Sequence, residues 1–184
     1  MHNDKLILGI DTSTSILDVA IFNSKGRVLA GECSDNERTH SERVMIAVDN
    51  VIKKASVSLK DIDIFACCTG SGSYTGVRIG VATAKGLALA MGKPVMGITS
   101  FDLMASGKTG LVVPIIDARR EAVFSAVYEN GKQIKPPRRI DLEELKKELS
   151  GKEYTFVTPH SGKWEGITLD MLGAVDIIYL GGSV

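Results

Sequence analysis

Two stretches of this sequence carry residue types that could hold a phosphate. The first is Asp11-Thr12-Ser13-Thr14, directly after the apolar run Ile7-Leu8-Gly9-Ile10. A tight turn rich in hydroxyls and backbone N–H groups suits an anion such as a phosphate. The same side chains can instead satisfy their own backbone, because Asp and Thr readily bond amides two residues on. No second phosphate loop and no adenosine pocket accompany this turn, so Asp11, Thr12, Ser13 and Thr14 are read as a vestigial phosphate turn.

The second stretch is Gly70-Ser71-Gly72-Ser73-Tyr74-Thr75-Gly76, between an apolar run and a helical pattern. Helix N-termini in that position attract anions. The G-x-G-x-x-x-G spacing nevertheless misses the dinucleotide fingerprint by one residue, and no acidic residue ends a following strand. Gly107-Lys108-Thr109 has the tail of a Walker motif, but Asp102 stands where its first glycine belongs. A nucleophile elbow fails at Thr75, where glycine is required. A helical histidine pair starting at His40 would need a second histidine at position 44, which is Val44, and His2 and His160 have no partnering pattern. No metal, cofactor or catalytic residue is expected.

These stretches need elements to position them. Residues 5–10, 17–22 and 27–33 read as an antiparallel meander with a turn at Gly26. A helix follows, capped by Thr39 or Ser41, with Val44, Met45, Val48, Val51, Ile52 and Ala55 on one stripe. Residues 62–69 form a nearly all-apolar strand, as in a sheet covered on both faces. The glycine-rich stretch then leads into a helix over 77–91, stopped by Gly92-Lys93-Pro94. A short strand over 95–98 and a short helix to about 106 close the first half. The second half offers strands over 111–116 and 121–128, an Asn130-Gly131 turn, a helix from Asp141 to 149, and strands near 154–157 and 176–180.

The halves look like copies. Asp11 and Asp117 lie 106 positions apart (117 − 11), and at that offset Ile10 meets Ile116, Leu17 meets Val123 and Ala20 meets Ala126. A fixed offset joining strand, aspartate, strand and turn suggests a duplicated unit. The expected domains are a first lobe over 1–106, carrying the glycine-rich loop, and a shortened second lobe over 107–184.

The helix over 77–91 has an unusual face pattern. Gly76, Gly80, Ala84 and Ala88 form one small-residue stripe, and Ala82, Gly86 and Ala90 a second. Only Arg78, Thr83 and Lys85 are clearly polar. Each mid-helix glycine costs roughly 1 kcal/mol relative to alanine, so close backbone approach must compensate. Either the helix is sandwiched within its own domain, or one face meets the sheet and another meets a second subunit; the second reading is preferred.

Composition removes other classes. The 22 basic residues equal the 22 acidic ones, which leaves no overall positive field for a stand-alone nucleic-acid binder. The cluster Lys132, Lys135, Arg138 and Arg139 around Pro136-Pro137 is a solvated linker or a local contact for an acidic partner or RNA. Cys33, Cys67 and Cys68 form no C-x-x-C pair and read as reduced thiols. No run approaches the roughly 20 apolar residues of a membrane helix and no leader pattern opens the chain, so a cytoplasmic protein is expected.

Four segments together resemble the bacterial TsaB family, also called YeaZ: Ile7-Leu8-Gly9-Ile10-Asp11-Thr12-Ser13, Thr39-His40-Ser41-Glu42, the run from Gly70 to Gly80, and Ile116-Asp117-Ala118-Arg119-Arg120. Ser71 stands where the family usually has proline. The resemblance covers about residues 5–130. It implies an α/β fold of two actin-like, ribonuclease H-like lobes, and a role in forming N6-threonylcarbamoyladenosine beside the tRNA anticodon. In that system TsaD is the catalytic paralogue, TsaE the ATPase partner, and TsaB the subunit without chemistry of its own. TsaB pairs with TsaD or with itself through first-lobe helices, and reaches tRNA only through the complex. On this chain the interface candidates are Val44, Val48, Val51, Arg78, Gly80, Val81, Ala84, Lys85 and Ala88. An active actin-like or sugar-kinase-like ATPase is the alternative, and a metallopeptidase, which would need a ligand cluster, is a third.

Overall fold

The computed structural model describes residues 4–35, 40–159 and 175–177. The chain divides into two compact units, with the boundary between Ser100 and Phe101.

The first unit is built on β1 (Leu6–Asp11), β2 (Ile16–Asn23), β3 (Val28–Asp35), α1 (His40–Ala55), β4 (Ile64–Cys68), α2 (Tyr74–Met91) and β5 (Val95–Ile98). The strand order is β3-β2-β1-β4-β5. β1 and β2, and β2 and β3, pair antiparallel, while β4 joins β1 in parallel and β5 joins β4 in parallel. Parallel neighbours require crossovers, and α1 and α2 are those crossovers. Both helices cover the same sheet face, because Leu8, Ile10, Leu17, Val19 and Ile21 share one core cluster with Val44, Ala47, Val48 and Val51 of α1 and Ala84 and Ala88 of α2. α2 starts at Tyr74, earlier than its apolar pattern, because the Ser73 hydroxyl accepts the Gly76 N–H. It ends as expected at Gly92, in the left-handed conformation with φ 64°. Thr39, one of the two expected caps of α1, lies outside the described residues.

α3 (Ser100–Ala105) begins in the first unit and enters the second at Phe101; β6 (Leu111–Asp117), β7 (Ala122–Glu129), β8 (Lys132–Asp141), α4 (Leu142–Leu149), β9 (Thr155–Thr158) and β10 (Val175–Ile177) follow in the second unit. Its strand order, β10-β9-β6-β7-β8, repeats that of the first unit in every pairing direction. The fold is therefore the duplicated ribonuclease H-like, actin-like arrangement. α4 is shorter than its counterpart, eight residues against sixteen for α1. Asp141 caps it by accepting the Glu143 and Glu144 N–H groups. The stretch between β9 and β10, where a counterpart of the glycine-rich loop and α2 would stand, lies outside the described residues.

The repeat is real, but the Asp11–Asp117 match is not its register. Asp11 pairs with Asp18, and Leu8 with Phe65 on the helix-covered face. In the second unit Val113 pairs with Phe156 on the helix-covered face. Leu8 thus corresponds to Val113 and Asp11 to Ile116, one residue away from the gapless offset. Because strand side chains alternate between faces, a one-residue error exchanges the two sides of the sheet. Ile10 accordingly packs under the helices, whereas Ile116 belongs to a different cluster with Phe101, Met104 and Tyr128.

Candidate site: the Asp11 turn and the glycine-rich loop

The turn after β1 and the loop before α2 close on each other. Asp11 Oδ1 accepts the Ser13 N–H at 2.7 Å. Thr12 Oγ1 donates to the Gly76 carbonyl at 2.7 Å, and the Ser13 carbonyl accepts the Ser73 N–H at 2.6 Å. Thr14 Oγ1 accepts the Ile16 N–H at 3.1 Å, and the Thr14 carbonyl lies 3.0 Å from His40 Nε2. All four turn residues are buried.

The glycines make this closure possible. A Cβ on Gly72 would sit 2.1 Å from the Ser13 carbonyl oxygen, and one on Gly76 would sit 2.0 Å from that of Thr12. A Cβ on Gly80 would lie 2.6 Å from Thr12 Oγ1. Every fourth residue from 72 to 80 is therefore a seat for the turn. Two donors that a phosphate would use are spent internally, the Thr12 hydroxyl on the Gly76 carbonyl and the Ser13 amide on the Asp11 carboxylate.

Under the loop, Ser100 Oγ donates to the Ser71 carbonyl at 2.6 Å and lies 3.0 Å from Cys68 Sγ. Ser13 Oγ completes the group, 3.4 Å from Ser100 Oγ and 3.5 Å from Cys68 Sγ. Burial, then the charge of Asp11, pushes the Cys68 thiol up, so it stays protonated and is no nucleophile.

Asp18, which the sequence reading passed over, is the neighbour of Asp11 across the β1–β2 ladder. Its signal was a lone carboxylate inside the apolar strand Ile16-Leu17-Asp18-Val19-Ala20-Ile21. Asp11 is 8% and Asp18 6% exposed. Among the described residues, Asp11 Oδ2, both Asp18 oxygens and His40 Nδ1 have no hydrogen-bond partner. Burial, with Asp11 as the second cause, pushes Asp18 up to about 7. Burial also raises Asp11, against the lowering by the Ser13 amide and hydroxyl, Cys68 and His40. Among the described residues no group of three or more His, Cys, Asp or Glu side chains could hold a metal ion.

The helix candidates need correction. Val44, Val48 and Val51 lie in the core of the first unit, and so do Ala84 and Ala88. Gly80 is buried against Thr12 and Ile10. These six face their own sheet; on α2, residues without bulk let the helix approach the Thr12 turn closely. Arg78 and Lys85 are exposed and Val81 is half-buried. The outward stripe is the other one, Ala82, Gly86 and Ala90, joined by Leu89 at 85% exposure. The Arg78 guanidinium lies 3.7 Å from the ring centroid of Tyr74, which is 71% exposed. Met45 and Ile46 are the exposed apolar residues of α1.

The basic cluster sits on β8. Lys135 Nζ reaches Glu148 Oε2 at 2.5 Å, and Arg138 binds the same oxygen. Hydrogen bonds from Arg138 and Lys135 hold the Glu148 carboxyl well down, at about 2. Two of the four cations are thus tied to α4, which leaves a smaller basic surface than the sequence suggested.

Comparison with known proteins agrees with this geometry. A family model described as TsaD, tRNA N6-adenosine threonylcarbamoyltransferase, matches residues 33–146. The tRNA threonylcarbamoyladenosine biosynthesis protein TsaB of Bacillus subtilis is 35% identical over 154 residues, covering 80% of this chain and 67% of that protein. The protein of the same name from Escherichia coli is 34% identical over 181 residues, covering 89% of this chain and 78% of its own length. The crystal structure of a Pseudomonas aeruginosa protein, described as uncharacterized with similarity to peptidase YEAZ, superposes with a TM-score of 0.75 at 22% identity, over 94% of this chain and 84% of that one.

Proposed function

Because the chain belongs to the TsaB family, we propose that it takes part in threonylcarbamoyladenosine biosynthesis on tRNA as a non-catalytic subunit that supports a TsaD-type transferase. The observation that carries the non-catalytic reading is the closure of the Asp11 turn. The Thr12 hydroxyl and the Ser13 carbonyl are bonded to the glycine-rich loop, and Gly72 and Gly76 lie directly against the Ser13 and Thr12 carbonyls. An actin-like ATPase needs that turn open to its nucleotide.

The supporting role falls to the outer face of α1 and α2. Met45 and Ile46 of α1 and Leu89 of α2 are exposed apolar side chains, and Ala82, Gly86 and Ala90 of α2 are exposed and small, which lets another helix approach α2 closely. The partner is the TsaD-type paralogue or a second copy of the chain, with a TsaE-type ATPase joining the assembly. Contact with tRNA runs through that assembly. No helix among the described residues is long and apolar enough to cross a membrane.

The deciding experiment combines the purified chain with the TsaD-type and TsaE-type proteins of the same organism, tRNA, ATP and threonylcarbamoyl-adenylate. A stable complex and modified adenosine that requires the chain are expected. Modification that proceeds equally without the chain would overturn the role. ATP hydrolysis by the chain alone would overturn its non-catalytic character.

A further inference from the structure

Two acids facing each other in a dry place present a charge problem that the fold has to solve. Asp11 and Asp18 are directly opposed in the antiparallel ladder, so their side chains leave the same face of the sheet as nearest cross-strand neighbours. Like charges so placed repel. Both residues are more than nine-tenths buried, and three of their four carboxyl oxygens have no donor among the described residues. A buried carboxylate without a donor is costly, and the usual relief is to keep a proton. No lysine or arginine is bonded to either acid among the described residues.

We propose that Asp11 and Asp18 form a one-proton switch: near neutral pH the pair holds a single proton, and losing it loosens the turn that anchors the glycine-rich loop. The link to the loop is short. Asp11 Oδ1 accepts the Ser13 N–H, and the Ser13 carbonyl accepts the N–H of Ser73, the residue that caps α2. A second negative charge at the pair therefore acts on the turn that seats Gly72 and Gly76. Other titratable groups surround the pair: His40 from α1 and Cys68 from β4 act on Asp11, Cys33 lies opposite Asp18 on β3, and Cys67 of β4 feels the charge of Asp11 from the helix-covered face. Neither the pair nor its proton depends on the tRNA role proposed above.

The sign of the pH effect is unusual for carboxyl groups. An unfolded aspartate loses its proton near pH 3.8, whereas folded Asp18 keeps it to about 7. Between those values the folded chain binds the extra proton, so stability falls as pH rises through that window and levels off above it. Ordinary ion-paired carboxylates do the opposite.

The test uses the full chain and its Asp18→Asn variant, which keeps the shape and removes the charge. Infrared spectra in deuterium oxide should show the C=O stretch of a protonated carboxyl in the parent at about pH 6, where ordinary aspartates have ionised, and the loss of that band near neutral pH should be missing in D18N. The exchange rate of the Ser73 amide, divided by that of amides within α1, should rise several-fold through neutral pH in the parent and stay flat in D18N. Absence of the protonated-carboxyl band in the parent would overturn the switch, as would an unchanged exchange profile in D18N. Stabilisation of the parent by magnesium or calcium, lost in D18N, would also overturn it, by putting a cation where the proton is assigned. Should D18N fail to fold, Asp11→Asn with the parent's infrared titration decides the matter alone.

Discussion

Glycine at 76 and glycine at 86 look alike in the sequence and do opposite things in the fold. Gly76 lies against the Thr12 carbonyl, where an added Cβ would be 2.0 Å from the oxygen, while nothing comes within 4 Å of Gly86. Gly76→Ala should therefore cost about 1–3 kcal/mol or more through overpacking against rigid backbone. Gly86→Ala should stabilise the chain by about 1 kcal/mol, because an exposed helix interior prefers alanine. Urea denaturation midpoints of both variants check the contrast, and equal shifts would disprove it. The chemistry of the Asp11 turn was legible in its own residues, since Asp and Thr cap their own backbone wherever they stand. Its occupant was not, because Gly76 comes from a segment 64 residues away from Thr12. Asp18 was readable as a lone acid in an apolar strand, but only the strand register reveals that it faces another acid.

α2 shows what periodicity can and cannot give. Its existence, its glycine stop and its two small-residue stripes were all visible in the sequence. Which stripe meets the sheet was not, because both are small and both repeat every four residues. The structure assigns Gly76, Gly80, Ala84 and Ala88 to the sheet. An interface test must therefore use the outer stripe. Leu89→Asp should abolish association with the partner while leaving the unfolding midpoint within about 0.5 kcal/mol of the parent, since exposed positions rarely carry stability. Size-exclusion chromatography with light scattering reads the first effect and denaturation the second. Unchanged association would remove α2 from the interface. Replacing Gly80 instead would disturb the Thr12 turn and confuse lost binding with lost folding.

At the scale of the whole chain, one strand order appears twice, and the duplication was legible because apolar strands, turns and helices recur in the same sequence. Its register was not, because a gapless match of aspartates ignores which face each residue occupies. In both units the first strand is central, paired on both sides: β1 between β2 and β4, β6 between β7 and β9. Native-state hydrogen exchange should find the slowest amides of each unit in these two strands, ahead of the edge strands β3, β5 and β8. Faster exchange in β1 than in β3 would contradict the sheet order.

The interlocked turn and loop also set a timetable for synthesis. The 64 residues separating Thr12 from Gly76 take roughly 3–13 s to translate at about 5–20 residues per second. Throughout that interval the emerging hairpin has no glycine seat to close on it, and its two aspartates stand in water as ordinary ionised acids. Final docking of the α2 N-terminus then coincides with capture of a proton from the surroundings. Completion of the fold thus becomes a proton-coupled equilibrium that acidity favours and alkalinity opposes.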